Sequence, residues 1–374
     1  MAERVVDARG VVVAELGGSL RIEQIELDPP GPGEVGVRLV ASGVCHSDHW
    51  AMANGNWGAP FPMLLGHEGA GIVHDVGAGV ADLAPGDPVL LAWAVPCGEC
   101  RSCRRSRPRG CSHAWEQPLR IRRTGTGETL SGTLSLGTLA THTVVHAAQA
   151  IRLPAESDLS RVCLLGCGVS TGVGAAINTA GVQPGATIAV IGLGGIGLAA
   201  LQGARIAGAE RLIAVDRVAS KLELARSFGA TDVVDALAAD PVEAVRDLTG
   251  GEGVDVAFEA TGVPDVVAQA VAMCARSGTT VAIGVPPLTS DLTLRYSTPE
   301  GAVYQNKVSL LIADGGDPVR EDFDTWVGWA IDGRLDLDGM VTRELSLTED
   351  DLEEAFRAML AGEVIRSVVR IGDP

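Results

Sequence analysis

Residues 187–197 read Thr187-Ile188-Ala189-Val190-Ile191-Gly192-Leu193-Gly194-Gly195-Ile196-Gly197, and the helical run they open continues to Ala207. A second strand-like run, Arg211 to Val215, follows and ends on Asp216. Strand, glycine turn, helix, strand and acid, in that order, are what a nucleotide-binding βαβ unit requires. Gly192 makes the turn, Gly194 lets the backbone approach a pyrophosphate, and Gly197 permits close packing of helix on strand. Amides at the helix N-terminus, Gly195 among them, then face the phosphates. Asp216, 19 positions beyond Gly197, is placed to hydrogen-bond the adenosine ribose and to repel a 2′-phosphate, which favours NAD over NADP. Arg217 beside it softens that preference. Asp232 to Val234, Val254 to Phe258, Thr279 to Ile283 and Val308 to Ala313 supply further strands between helical runs, and together they predict a doubly wound α/β parallel sheet.

Upstream the pattern changes. Val11-Val12-Val13, Val35 to Val40 and Gly69 to Val73 are β-type runs separated by Pro29-Pro30-Gly31-Pro32-Gly33 and Pro85-Gly86-Asp87-Pro88. They predict an antiparallel, barrel-like domain. Residues 112–136 are turn-rich and read as a surface loop or pocket rim. After Gly315 the chain turns acidic and helical and ends in a strand near Ser367 to Ile371.

The 374 residues suffice for two cores. A net charge of −18 argues against nucleic acid or an anionic membrane as partner. Val162 to Ala204 carries no charged residue, but Pro184 and many glycines interrupt it, so a buried strand–turn–helix is expected rather than a membrane span. Met1-Ala2-Glu3-Arg4 lacks the basic start and apolar core of an export signal, which predicts a cytoplasmic protein.

Four of the eight cysteines, Cys97, Cys100, Cys103 and Cys111, fall within fifteen residues as C-x2-C-x2-C-x7-C. Thiolates on such short tethers close a tetrahedron round one zinc, and a structural site of this kind leaves no open position. An iron–sulfur cluster is the competing metal. Arg101, Arg104, Arg105, Arg107 and Arg109 are interleaved, either to offset the tetrathiolate charge or as a small basic patch. A second stretch, Cys45-His46-Ser47-Asp48-His49 to Gly66-His67-Glu68, gathers a thiol, imidazoles, carboxylates and a hydroxyl. By itself it is half a metal site, or a buried cysteine and a satisfied histidine.

Gly66-His67-Glu68, the four-cysteine lobe, Gly166-Cys167-Gly168 and Gly192 to Gly197 occur in the order and near the spacing of the zinc-containing medium-chain alcohol dehydrogenases, and the chain resembles that family over nearly its whole length. The resemblance implies a GroES-like antiparallel β-barrel catalytic domain (residues 1–170 and 315–374, with a structural zinc lobe at 95–112) and a Rossmann domain (171–314). It implies that Cys45, His67 and Cys167 ligate a catalytic zinc, with Glu68 close behind and Asp48 orienting His67. Cys97, Cys100, Cys103 and Cys111 would hold a structural zinc, giving two Zn2+ per chain. Asp216 and Lys221 match the acid–lysine pair at the adenosine ribose of NAD. His46 and Arg366 match pyrophosphate contacts, and Ile283 and Val285 match neighbours of the nicotinamide. Ser47 would accept the alcohol proton. Trp50 stands where many relatives carry the relay histidine, and His49, one residue early, is the candidate for that relay. Trp57, Trp93 and Leu136 match the substrate pocket, and the two indoles suggest an apolar or aromatic alcohol or aldehyde. No charged set for a glutathione adduct is evident. The expected activity is alcohol–carbonyl interconversion with NAD(H) by a homodimer. The alternatives are a biosynthetic reductase acting on a conjugated carbonyl or imine, and a protein that keeps the fold without turnover.

Overall fold

Strand Val6–Val13 sends Val12 into one core and Val11 and Val13 into another, as the two-residue period of an extended chain dictates. In a computed structural model that describes residues 6–55, 59–111, 120–297 and 303–373, this strand lies in the first of two units. That unit comprises the chain up to Cys167 together with Val319–Gly333 and Leu337 onward; the second comprises Gly168–Pro318 and Arg334–Asp336.

Among the described residues two sheets build the first unit. In one, Val6–Val13 pairs antiparallel with Leu20–Leu27 and with Met63–Leu64. In the other, the long strand Glu34–Val44 lies between Gly69–Val76 and the C-terminal strand Arg366–Arg370, antiparallel to both. Val341–Ser346 then pairs parallel with Arg366–Arg370 at the edge of this sheet. Leu27, Val37, Leu39, Leu64, Val73 and Leu91 fill one core without solvent contact. A second forms where helix Glu349–Leu360 lays Leu352, Ala355, Phe356 and Met359 against Val13, Leu65 and Val369. The i, i+3, i+4, i+7 spacing of those four residues makes one apolar stripe on an otherwise acidic helix.

The reading of residues 112–136 as surface loop is corrected over its described part. Ile121–Arg123 adds to the edge of Leu20–Leu27, and Ser131–Gly132 pairs with Met63–Leu64. Ile121, Leu130 and Leu136 are fully buried. Strands of two and three residues are too short to show a period, which hid them in the sequence.

In the second unit six parallel strands run in the order Asp232–Asp235, Arg211–Asp216, Thr187–Ile191, Val254–Glu259, Cys274–Ala282, Ser309–Ile312. The order reverses between Thr187–Ile191 and Val254–Glu259, the crevice at which open α/β sheets bind ligands. The uncharged run Val162 to Ala204 divides into short helical segments, the strand Thr187–Ile191 and most of helix Gly195–Ile206. Among the described residues no single helix is long and apolar enough to cross a membrane.

The first unit also holds a half-buried histidine pair. His74 and His142 meet edge to face at 5.4 Å. Burial, then the neighbouring His74 and Arg38, push the His142 pKa down from 6.5 to about 4. A histidine held below its unfolded value is neutral in the fold and takes up a proton on unfolding, so stability falls as pH drops from 6.5 towards 4. His142→Gln removes this linkage. Urea midpoints measured from pH 7.5 to 4.5 should fall less steeply for the variant than for the parent, and parallel curves would assign the acid sensitivity elsewhere.

Candidate active site and metal centres

Sheet topology brings the site together. Glu34–Val44 ends directly before Cys45, and Gly69–Val76, its neighbour on one side, begins directly after His67-Glu68. Arg366 opens the strand on the other side, where Ser367 pairs with Val44. Cys45, His67, Glu68 and Arg366 therefore gather at one end of three adjacent strands. Cys167 arrives from the helical turn Cys163–Gly166. A Cβ on Gly166 would stand 2.7 Å from the Leu91 carbonyl oxygen and 3.1 Å from Glu68 Cα, so glycine is what permits this approach.

Donor atoms of Cys45, His67, Glu68 and Cys167 all lie within 4.8 Å of one another, and all four residues are buried. Asp48, in the first turn of helix His46–Asn54, sits beneath them. Its Oδ1 accepts from the Gly66 amide at 2.9 Å and lies 3.1 Å from His67 Nδ1. With Nδ1 facing the carboxylate, Nε2 is the ring nitrogen left to meet a metal. His67 Nε2 is buried and has no hydrogen-bond partner. An orphaned imidazole nitrogen facing two thiols and a carboxylate is a donor set that fits zinc.

The two thiols are pushed in opposite directions. The hydrogen bond from Cys167 draws the Cys45 pKa well below the usual thiol value against the opposing pull of burial, and His67 and Arg366 add to the effect. The same bond, followed by burial, drives Cys167 well above it. A metal at this position takes both sulfurs as thiolates, so binding releases a proton. Glu68 is fully buried and is paired with the Arg366 guanidinium. Burial alone would weaken that cation, and the Glu68 carboxylate together with Cys45 and Cys167 more than offsets it. The space for this carboxylate depends on Gly43, where a Cβ would lie 2.0 Å from Glu68 Oε2.

The four-cysteine lobe is a separate cluster with the same 4.8 Å compactness. Cys111 Sγ lies 3.6 Å from Cys97 Sγ and 3.9 Å from Cys100 Sγ. These separations rule out disulfides and match the edge, about 3.8 Å, of a tetrahedron of sulfurs bonded to zinc at about 2.3 Å. Backbone amides of Cys97 and Cys100 already point at the Sγ atoms of Cys111 and Cys97. Burial and the neighbouring Cys100 push the Cys103 thiol up to about 12, the response of a thiol crowded by others.

In the cofactor unit Gly192 has φ +90°, and a Cβ there would stand 2.6 Å from Thr261 Cγ2. Gly194 faces open space, whereas a Cβ on Gly197 would stand 1.8 Å from the Gly192 carbonyl oxygen. Gly195 opens the helix. The Asp216 carboxylate accepts from the Leu193 amide through Oδ2 at 2.7 Å and from the Arg217 and Val218 amides through Oδ1. Lys221 lies in the first turn of the next helix, Ala219–Ser227.

The remaining candidates are placed unevenly. Ser47 and His49 are half-buried and His46 is exposed; the His49 ring centroid lies 6.5 Å from that of Phe356. Ile283 is buried and Val285 exposed. Trp93 packs against the core that contains Leu27 and Leu39, and Leu136 lies within it. Trp57 lies outside the described residues. Sequence reading did not single out Gly43, whose only signal is a glycine inside a strand.

This fold and these clusters define a zinc-dependent dehydrogenase with a nucleotide cofactor. Residues 31–155 match the alcohol dehydrogenase GroES-like domain and residues 195–330 the zinc-binding dehydrogenase domain. S-(hydroxymethyl)glutathione dehydrogenase of Escherichia coli is 38% identical over 97% of this chain and 99% of its own. Among solved structures, an alcohol dehydrogenase zinc-binding domain protein from Burkholderia ambifaria superposes with a TM-score of 0.91 at 31% identity, covering 99% of this chain and 100% of that one. Benzyl alcohol dehydrogenase from Acinetobacter calcoaceticus gives 0.88 at 28% identity, covering 98% and 100%. The chain belongs to the zinc-containing medium-chain alcohol dehydrogenase family, and it is an alcohol oxidoreductase. The conjugated-carbonyl or imine reductase reading is not favoured by these relatives.

Asp48→Ala would leave His67 free to turn and its Nδ1 unpartnered. Zinc affinity at the Cys45 site, measured by chelator competition, should fall about 10–100-fold while the four-cysteine lobe keeps its metal. Unchanged affinity would show that the carboxylate does not orient the imidazole.

Proposed function

We propose that the protein oxidises an apolar or aromatic alcohol, or reduces the matching aldehyde, with NAD(H) and two zinc ions per chain. The buried Cys45–His67–Cys167 cluster with its unpartnered Nε2 carries this reading. Zinc held there would supply Lewis-acid polarisation of an alcohol or carbonyl oxygen. Asp48 keeps His67 in the tautomer that presents Nε2. Ser47, two residues after Cys45 and half-buried, accepts the alcohol proton and passes it outward, with His49 as the next imidazole along the same helix. Gly192, Gly194, Gly195 and Gly197 receive the pyrophosphate, to which His46 and Arg366 are further candidates. Asp216 with Lys221 holds the ribose, and Ile283 and Val285 border the nicotinamide. The carboxylate at Asp216 supports NAD over NADP.

The half-buried Trp93 and the benzyl alcohol dehydrogenase likeness support an aromatic substrate. A second reading, S-(hydroxymethyl)glutathione, is supported by the full-length Escherichia coli relatives. A homodimer is supported by strand Ser309–Ile312, the edge of the parallel sheet, exposed at all four residues including Leu310, Leu311 and Ile312. An unpaired apolar edge is a site for strand addition by a second copy. Eight cysteines with no disulfide among the described residues support a reducing, cytoplasmic setting.

Metal analysis with cofactor and substrate panels tests the whole. Two zincs are expected in the parent, with one lost in Cys45→Ser and the other in Cys103→Ala. NAD should bind in preference to NADP, and benzyl alcohol should turn over faster than formaldehyde supplied with glutathione. A single zinc, lost in Cys103→Ala but kept in Cys45→Ser, would end the catalytic-metal assignment, and faster turnover of the glutathione adduct would move the substrate to the second reading.

A further inference from the structure

Glu259 ends strand Val254–Glu259 and pairs with Ile191, the residue before the glycine turn, at the point where the sheet order reverses. It is fully buried. Its Oε1 accepts three hydrogen bonds, from the Thr261 amide at 2.6 Å, the Thr261 hydroxyl at 2.5 Å and the Gly262 amide at 2.9 Å. Its Oε2 is equally buried and has no hydrogen-bond partner. A buried acceptor left unmet is costly, and an apolar side chain here would avoid that cost. What an apolar side chain would forfeit is the hold on residues 260–262.

Those residues are wedged between two parts of the cofactor site. On one side a Cβ at Gly192 would stand 2.6 Å from Thr261 Cγ2 and 3.3 Å from the Ala260 carbonyl carbon. On the other, a Cβ at Gly284 would stand 2.0 Å from the Gly262 amide nitrogen, and one at Gly262 would stand 2.4 Å from the Val285 carbonyl oxygen. The backbone of Glu259 joins the same contact, its carbonyl accepting from the Ile283 amide at 2.8 Å and the Gly284 amide at 3.2 Å. Gly192 belongs to the turn that receives the pyrophosphate, and Ile283 to Val285 is the strip assigned to the nicotinamide. Across the glycine turn, Asp216 Oδ2 grips the Leu193 amide at 2.7 Å. The turn is thus braced from both neighbouring strands.

We infer that Glu259 is a positioning residue for the dinucleotide: through the Thr261–Gly262 turn it fixes the spacing between the pyrophosphate turn and the nicotinamide strip. A dinucleotide contacts both at once, so a slack spacer lowers its affinity without touching the reacting carbon or the metal cluster. The inference rests on the cofactor reading above.

NADH titration by fluorescence on the zinc-loaded full chain, with steady-state kinetics, tests it. Glu259→Ala should raise the NADH Kd and the KM for NAD on the order of tenfold. Zinc content and the alcohol KM at saturating NAD should stay within about twofold, since neither reports on cofactor capture. Glu259→Gln keeps a carbonyl oxygen for the same three donors and should restore most of the affinity. Thr261→Val, which removes one donor and keeps the carboxylate, should fall between and keeps the test open if Glu259→Ala does not fold. A parent-like NADH Kd in Glu259→Ala alongside a lower melting temperature would reduce the residue to a stability role and overturn the inference. So would Glu259→Gln binding as weakly as Glu259→Ala. A parent that binds neither NADH nor NADPH would remove the cofactor reading itself, an outcome visible before any variant is compared.

Discussion

Asp48 Oδ1, shared between the Gly66 amide and His67 Nδ1 inside a site without solvent, is the contact on which the metal centre depends. It fixes two things with one oxygen. The bond to Gly66 holds the backbone at φ +95°, where a Cβ would stand 2.2 Å from the Leu139 amide nitrogen, so the chain can turn from Leu65 into the ligand segment. The bond to Nδ1 selects the tautomer and aims Nε2 at the thiols. Remove the oxygen and the imidazole has neither orientation nor reason to keep its lone pair facing the cluster. The structure tolerates the buried carboxylate because both donors it meets are themselves buried, and each would otherwise be left without a partner.

Charge balance explains the rest of the neighbourhood. Two thiolates and one zinc sum to zero, and the Glu68–Arg366 pair also sums to zero. Arg366 is therefore best understood as Glu68's counterion first; whatever it offers a phosphate comes from the same guanidinium. A carboxylate tied to a cation competes weakly for a metal, although the Glu68 donor atom lies within 4.8 Å of those of Cys45, His67 and Cys167. The contact between the buried sulfurs favours ionisation of Cys45 and opposes that of Cys167.

How much of this could be read from the chain depended on how locally each piece is encoded. The four-cysteine lobe was legible because its ligands are tethered within fifteen residues and no distant strand is needed to close the tetrahedron. The glycine turn was legible because strand, turn and helix are contiguous, and the strand Thr187–Ile191 begins and ends where its β-prone run does. The Cys45 cluster was different. Its ligands span 122 positions, from Cys45 to Cys167, and only family resemblance joined them, because strand adjacency is a property of the sheet and not of spacing. Glu68's partner Arg366 is more distant still. The strand Leu20–Leu27 and the short strands near Ile121 and Ser131 were missed because imperfect or brief alternation gives no period to detect.

The glycines sharpen this point, since identical residues turn out to be required for unlike reasons. Gly192 needs its positive φ, Gly197 needs the absence of a side chain against the Gly192 carbonyl, and Gly194 needs neither and faces open space. Gly43 and Gly166 are demanded by Glu68 and by the approach of the Cys167 turn; Gly166 lies in a quoted motif, whereas Gly43 acts from within a strand that gave no hint of it. A carboxylate can be equally indirect. Asp216 and Glu259 both end strands beside the glycine turn and both hold backbone amides, yet only Asp216 lies in a motif that a sequence search recognises. Motifs mark the groups that touch a ligand; the groups that hold those groups in place are encoded one contact further out, where only the folded geometry shows them.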